Sequence, residues 1–145
     1  MKIAIGCDPN ASELKDRLIA LCRTLGHEVE DFGSEDPVYA NTAIRVAENV
    51  ASGAFDRGVL VCGTGLGMSI AANKVKGTYA ALLTDVYSAE RAVLSNNSNI
   101  ACLGAFTVGP KLAEELLKTW LSCTFDENSG SAKKVARYKE YDYSR

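Results

Sequence analysis

The 145-residue chain has one histidine, His27, and one tryptophan, and its five cysteines include no C-x-x-C pair. A single histidine excludes an H-E-x-x-H metal site and weakens any imidazole-based mechanism confined to one chain. The odd set Cys7, Cys22, Cys62, Cys102 and Cys123 argues against a disulfide framework or a thiolate zinc site and fits a reducing compartment. No stretch approaches the roughly 20 apolar residues of a membrane-crossing helix, and the opening MKIAIGCD is too short an apolar run for a signal peptide. A soluble, cytoplasmic protein is the expectation. An excess of one charge is also lacking: 16 Lys and Arg against 18 Asp and Glu leave a formal net charge of -2, so no overall attraction to nucleic acid or to an anionic membrane is expected.

What the chain does have is enough apolar content, 47%, for a sizeable core, at a length near that of one domain. We expect one domain over residues 1–145, with a polar terminal arm or short helix from about 124 to 145 that is available to pack on a second subunit. Short apolar runs at 2–7, 28–32, 57–62, 78–83 and 99–104 alternate with segments of helical period. In the first of these segments Leu14, Leu18, Leu21, Cys22 and Leu25 share a face, and Gly26 follows as a stop. The alternation predicts an α/β fold, a Rossmann-like doubly wound five-stranded parallel sheet with helices on both faces. Ligands in such sheets bind beyond the carboxyl ends of the strands, where strand order reverses. The strand-end turns therefore carry the search.

The third of these turns lies in VLVCGTGLGMSIAANK, residues 59–74. Backbone N–H groups from Gly63 through Thr64, Gly65, Leu66, Gly67 and Met68 to Ser69 are expected to converge at the start of a helix. Such a turn favours a phosphate, a carboxylate or an oxyanion formed during reaction. The same field favours the thiolate of Cys62, which makes it a candidate base or nucleophile. A buried strand-end cysteine with no chemical role is the plainer alternative, and local sequence leaves both open. G-T-G-L-G-M also begins like a dinucleotide fingerprint, with Asp85 at about the distance of a ribose ligand, but Met68 stands where a small residue is required and the turn follows the third strand.

Elsewhere the reading is less specific. Asp8 is a candidate sugar ligand or else a helix cap ahead of Pro9 and Asn10. Ser95-Asn96-Asn97-Ser98-Asn99 offers amides and hydroxyls to a polyol or forms an ordinary turn. Lys133, Lys134 and Arg137 form a small basic cluster within reach of a phosphate, or a solvated helix face.

Taken together, MKIAIGCD, LGHEVEDFG, the run from Ala51 to Gly77, Tyr87-Ser88-Ala89 and NSNIACLGA resemble the ribose-5-phosphate isomerase B and galactose-6-phosphate isomerase family over about residues 1–125. The resemblance implies aldose–ketose isomerisation of a small sugar phosphate through a cis-enediolate, without metal or cofactor. It also implies a homodimer or dimer of dimers with active sites at the subunit interface. Cys62 matches the family's proton-transfer base, the amides of 63–69 its enediolate ligands, and Thr64 and Asp8 its sugar contacts. Five departures concern ligand handling. Pro9 and Ser95 stand where the family carries histidines, the latter supplied across the dimer to open the sugar ring, while Asn96 is retained beside it. Phe106 and Gly130 stand at phosphate-binding arginine positions, and Lys134 replaces a third arginine with a point charge lacking its fork. Ribose 5-phosphate is the expected type of substrate. The missing histidines motivate two alternatives, an open-chain substrate such as a tetrose 4-phosphate, or a non-catalytic or half-site subunit of a composite enzyme.

Overall fold

The computed structural model describes residues 1–144. Five strands, β1 Lys2–Cys7, β2 Glu28–Asp31, β3 Arg57–Cys62, β4 Ala80–Leu82 and β5 Ile100–Gly104, form one parallel sheet in the order β2-β1-β3-β5-β4. The three central strands are buried along nearly their whole length, as continuous apolar runs covered on both faces must be. The edge strands are shorter than the sequence suggests. Thr78 and Tyr79 leave the ladder because the Thr78 hydroxyl donates to the Ala72 and Val75 carbonyls and the Asn99 side chain accepts from the Tyr79 N–H.

Six helices follow: α1 Ser12–Thr24, α2 Tyr39–Ala51, α3 Leu66–Ala72, α4 Val86–Leu94, α5 Pro110–Ser122 and α6 Ala132–Tyr143. The connections from β1 to β2 and from β4 to β5 run one way across the sheet, and those from β2 to β3 and from β3 to β4 run the other. Right-handed crossovers then place α1 and α4 on one face and α2 and α3 on the opposite face. Packing agrees, since α2 lies against α3 while α1 and α4 both lie against α5. Each face has its own core, one built around Leu18, Leu117 and Trp120 and the other around Val46, Leu60 and Met68.

Two expectations change. Leu25 is not on the buried face of α1; it ends the helix at the surface, and Ile19 and the Lys15 stem are buried in its stead. The terminal segment folds into α6 against its own chain, burying Val135 and stacking Tyr138 on Tyr79.

Lys15 is buried because its ammonium donates to both oxygens of Asp31, at 3.0 and 2.7 Å, which pins α1 to the end of β2. Burial opposes ionisation of Asp31, but the Lys15 contact and the Gly33 N–H outweigh it and hold the carboxyl below its usual range. A depressed carboxyl contributes stability that is complete above its unfolded value, near 4, and is lost as pH falls through the folded one. Asp31→Asn is therefore expected to lower the urea midpoint at pH 7, with the gap to the parent narrowing below about pH 4. A gap that is constant from pH 7 to pH 3 would contradict this account.

Candidate active site

β3 ends between two strands, β1 and β5, whose following helices leave on the face opposite to α3. Cys62 thus stands at the point where the winding reverses, the place where ligands bind in sheets of this kind. The Asp8 N–H donates to the Val61 carbonyl at 2.9 Å, and the Ala105 and Phe106 N–H groups donate to the Cys62 and Gly63 carbonyls, both at 2.8 Å. Three strand-end turns are thus laced together around one thiol.

The glycines act as close-approach points. Gly65 has φ +78° and heads α3, and a Cβ there would sit 2.5 Å from Leu82 Cδ1 and 3.0 Å from the Leu103 carbonyl carbon. This backbone aims the Gly65 N–H at Cys62 Sγ, 3.0 Å away. The Leu66 N–H donates to Thr64 Oγ1 at 3.3 Å, and the Ser69 N–H to the Gly65 carbonyl. Gly67 and Met68 remain as the opening amides of α3 that its own turns do not satisfy. Gly63 and Gly67 lie under the rings of Phe106 and Tyr39, which leave no room for a side chain at either glycine.

The other thiols are unsuited to proton transfer here. Burial pushes Cys7 and Cys22 up to about 11 and Cys102 higher still, so all three stay protonated near neutrality. Cys123 lies at the far end of the sheet, beyond α5.

Asp8 serves as a cap, with Oδ1 accepting from the Asn10 N–H at 2.9 Å, which leaves its other oxygen outside the cap. His27 precedes β2, separated from β5 by β1 and β3, with Nδ1 3.5 Å from the terminal amine; burial and that amine hold it below its usual value and neutral near pH 7.

Ser95 and Asn96 lie elsewhere. Cys62 pairs with Gly104 at one end of β5, whereas Ser95 and Asn96 precede Ile100 at the other. The strand alone separates them by about 13 Å at its usual rise per residue. Within the same turn Asn97 takes φ +51°, Ser98 accepts from the Trp120 indole at 2.8 Å, and Asn99 braces Tyr79 and Gly77. Only Asn96 keeps an exposed side chain; its carbonyl accepts from the Tyr138 hydroxyl. It borders a cavity of about 630 Å³ between β4, α4 and α6, lined also by Ser88, Arg91 and Tyr141. Lys134 and Arg137 lie on the exposed side of α6 and do not line that cavity, Arg137 pairing with Glu140 at 3.6 Å. Sequence reasoning missed Tyr39, whose position over Gly67 depends on the packing of α2 on α3, and it missed Arg91.

Residues 3–138 match the family described as Ribose/Galactose Isomerase. The chain belongs to that family. It is 48% identical to a Ribose-5-P isomerase B of Listeria innocua over 92% of each chain. A D-erythrulose-4-phosphate isomerase of Pectobacterium atrosepticum is 42% identical, covering 99% of this chain and 96% of the relative. Among solved structures, a Ribose-5-Phosphate Isomerase B of Clostridium thermocellum superposes with a TM-score of 0.93 at 40% identity, covering 99% of both chains. Family membership favours a sugar-phosphate ligand over a dinucleotide at this turn.

Gly65→Ala is expected to lower stability by about 2 kcal/mol, from left-handed strain and the clash with Leu82 and Leu103. Because the N–H aimed at Cys62 moves with it, activity should fall further than unfolding explains. Denaturant midpoints and turnover measured on the same preparation check both effects.

Proposed function

We propose that the protein is an aldose–ketose isomerase of a small sugar phosphate, with Cys62 as the base that moves a proton between C1 and C2. The observation that carries this reading is the pairing of Cys62 Sγ with the Gly65 N–H beside the unsatisfied amides of Gly67 and Met68. A thiolate takes the proton from C2 of the aldose, the C2–H electron pair forms the C1–C2 double bond, and the carbonyl electrons move onto O1. A proton then passes from O2 to O1 within the cis-enediolate, and return of the first proton to C1 as the C2 carbonyl forms gives the ketose, so atoms and electrons balance within one substrate and no external acceptor is consumed. The negative enediolate is held by the Gly67 and Met68 amides, where fixed donors lower the barrier most. Thr64 and the free oxygen of Asp8 hold sugar hydroxyls.

The separation of Asn96 from Cys62 supports a site shared between subunits, in which one chain supplies the thiol turn and its partner the Asn96 turn. A homodimer, or a dimer of such dimers, is the smallest assembly that closes it. We place it in the cytoplasm, consistent with five unpaired thiols.

A tetrose 4-phosphate is favoured over ribose 5-phosphate because neither half of the site carries a histidine: Pro9 and Ser95 cannot open a furanose ring, and His27 is remote. A tetrose 4-phosphate cannot form that ring. Faster turnover of erythrose 4-phosphate than of ribose 5-phosphate is expected, and a preference for the pentose would sink this choice.

Incubation with candidate sugar phosphates in heavy water should give exchange at C2, abolished by Cys62→Ala. Exchange that survives the substitution would reject Cys62 as the base, and no exchange with any substrate would reject catalysis by this chain alone. Mixing and reassembling the Cys62→Ala and Asn96→Ala variants, each nearly inactive, should restore about a quarter of parental activity, because half the dimers are then mixed and each has one intact site. No recovery from pairs that demonstrably exchange subunits would place the site within one chain.

A further inference from the structure

Of the residues expected to hold the substrate's phosphate, two positions are replaced, and the other two lie on the exposed side of α6 outside the lining of the cavity beside Asn96. Phe106 is an exposed aromatic ring, Gly130 has no side chain, and Lys134 and Arg137 face outward on α6. We infer that Arg91 holds the phosphate, from the cavity beside Asn96; this rests on the isomerase reading and names the anion site that reading lacks.

Among the described residues, Arg91 is the one cation lining the 630 Å³ cavity. It sits one turn before Ser95 on α4, and Ser95 Oγ accepts from its Nη1 at 3.4 Å, so the guanidinium is held beside the Asn96 turn. Nη2 donates to Glu90 at 3.0 Å. Nε is buried and has no acceptor. A buried guanidinium N–H without an acceptor is uncommon, because desolvating it costs more than an ordinary hydrogen bond returns. Nε itself is closed off by its neighbours, so an oxyanion in the cavity meets the guanidinium at the Nη N–H groups that Ser95 and Glu90 leave unused.

The remaining lining suits a phosphorylated polyol. Ser88, Asn96 and Tyr141 present neutral hydrogen-bonding groups. The one acidic residue among the described lining residues, Asp142, is already bound to the Gly77 N–H at 2.6 Å and the Tyr79 hydroxyl at 3.4 Å. Its charge is spent on the junction between α6 and β4, while Arg91 keeps N–H groups for a ligand. In the composite site the partner's thiol turn then receives the carbonyl end of the substrate while Arg91 fixes the other end.

The test is a chemical-shift titration of the intact protein with inorganic phosphate, for the parent, Arg91→Met and Arg91→Lys. The parent should bind, with shifts in the Ser95–Asn96 turn. Arg91→Met should weaken binding roughly 10- to 100-fold, as loss of a charge-assisted contact does, and Arg91→Lys should fall between because it keeps the charge but not the fork. In turnover assays Arg91→Met should raise KM far more than it lowers kcat, with the oligomeric state by light scattering unchanged. Unaltered phosphate affinity in Arg91→Met, or no phosphate binding by the parent, overturns the inference. Dissociation of the oligomer by Arg91→Met would reassign the side chain to the interface and overturn it too. If the parent binds phosphate through Arg91 but turns over no sugar phosphate, the isomerase reading falls and the anion site stands.

Discussion

The handedness of the crossovers decides where chemistry is possible in this molecule. In a sheet ordered β2-β1-β3-β5-β4, right-handed connections send α3 off one face while α1 and α5 leave the other. β1 and β3, side by side at the centre, are therefore each flanked on both sides by chains turning away from them. The residue at the end of β3, which lies between β1 and β5, is the buried Cys62. The three turns meeting at this point are held by backbone hydrogen bonds from Asp8, Ala105 and Phe106 to β3 or its turn. A rigid backbone frame gives a reacting group the fixed position that a flexible side-chain arrangement could not.

That frame requires the glycines. Each N–H that faces the thiol or the mouth of α3 belongs to a segment pressed against another: Gly65 against Leu82 and Leu103, Gly63 against Phe106, Gly67 against Tyr39. Removing side chains from the turn lets neighbouring elements supply its walls. Those walls are apolar and aromatic, which strengthens any charge–dipole interaction at the amides by excluding water. The same packing distinguishes among the thiols, since burial keeps Cys7, Cys22 and Cys102 protonated while Cys62 alone lies against a backbone donor at the ligand-facing turn.

Much of this was legible in the sequence where one local rule dominated. β1 and β3 have the bounds expected from their apolar runs, because strands covered on both faces leave no competing pattern. The turn after β3 was readable for the same reason, since few functions need three glycines in alternation. Misjudged positions are those where two elements compete. Leu25 has the period of a core residue but falls at the left-handed exit of α1, and Lys15 reads as surface until Asp31 arrives from β2 to satisfy it. Asp8 left two roles open, and the structure uses one oxygen as a cap without using the other. Arg91 could not have been found from sequence. It reads as the solvated side of a short amphipathic helix, and its significance depends on α6 folding over the β4 edge to enclose it.

The two halves of the proposed composite site lie at opposite ends of the sheet, and that distance would make assembly and binding one problem. A two-fold axis pairs unlike ends of two copies and so builds two identical sites from one contact surface. α3 carries Leu66 and Ile70 outward one turn apart, and the start of α4 adds Val86 and Tyr87, all exposed in the single chain. An apolar set of that kind beside the thiol turn is what a partner would cover, bringing its own Asn96 turn with it. In this arrangement the helix that opens the amide pocket is also the helix that docks the partner. Substrate bridging both chains would then stabilise the pair by mass action, and the residues that position the enediolate could not be altered without changing the contact that completes the site.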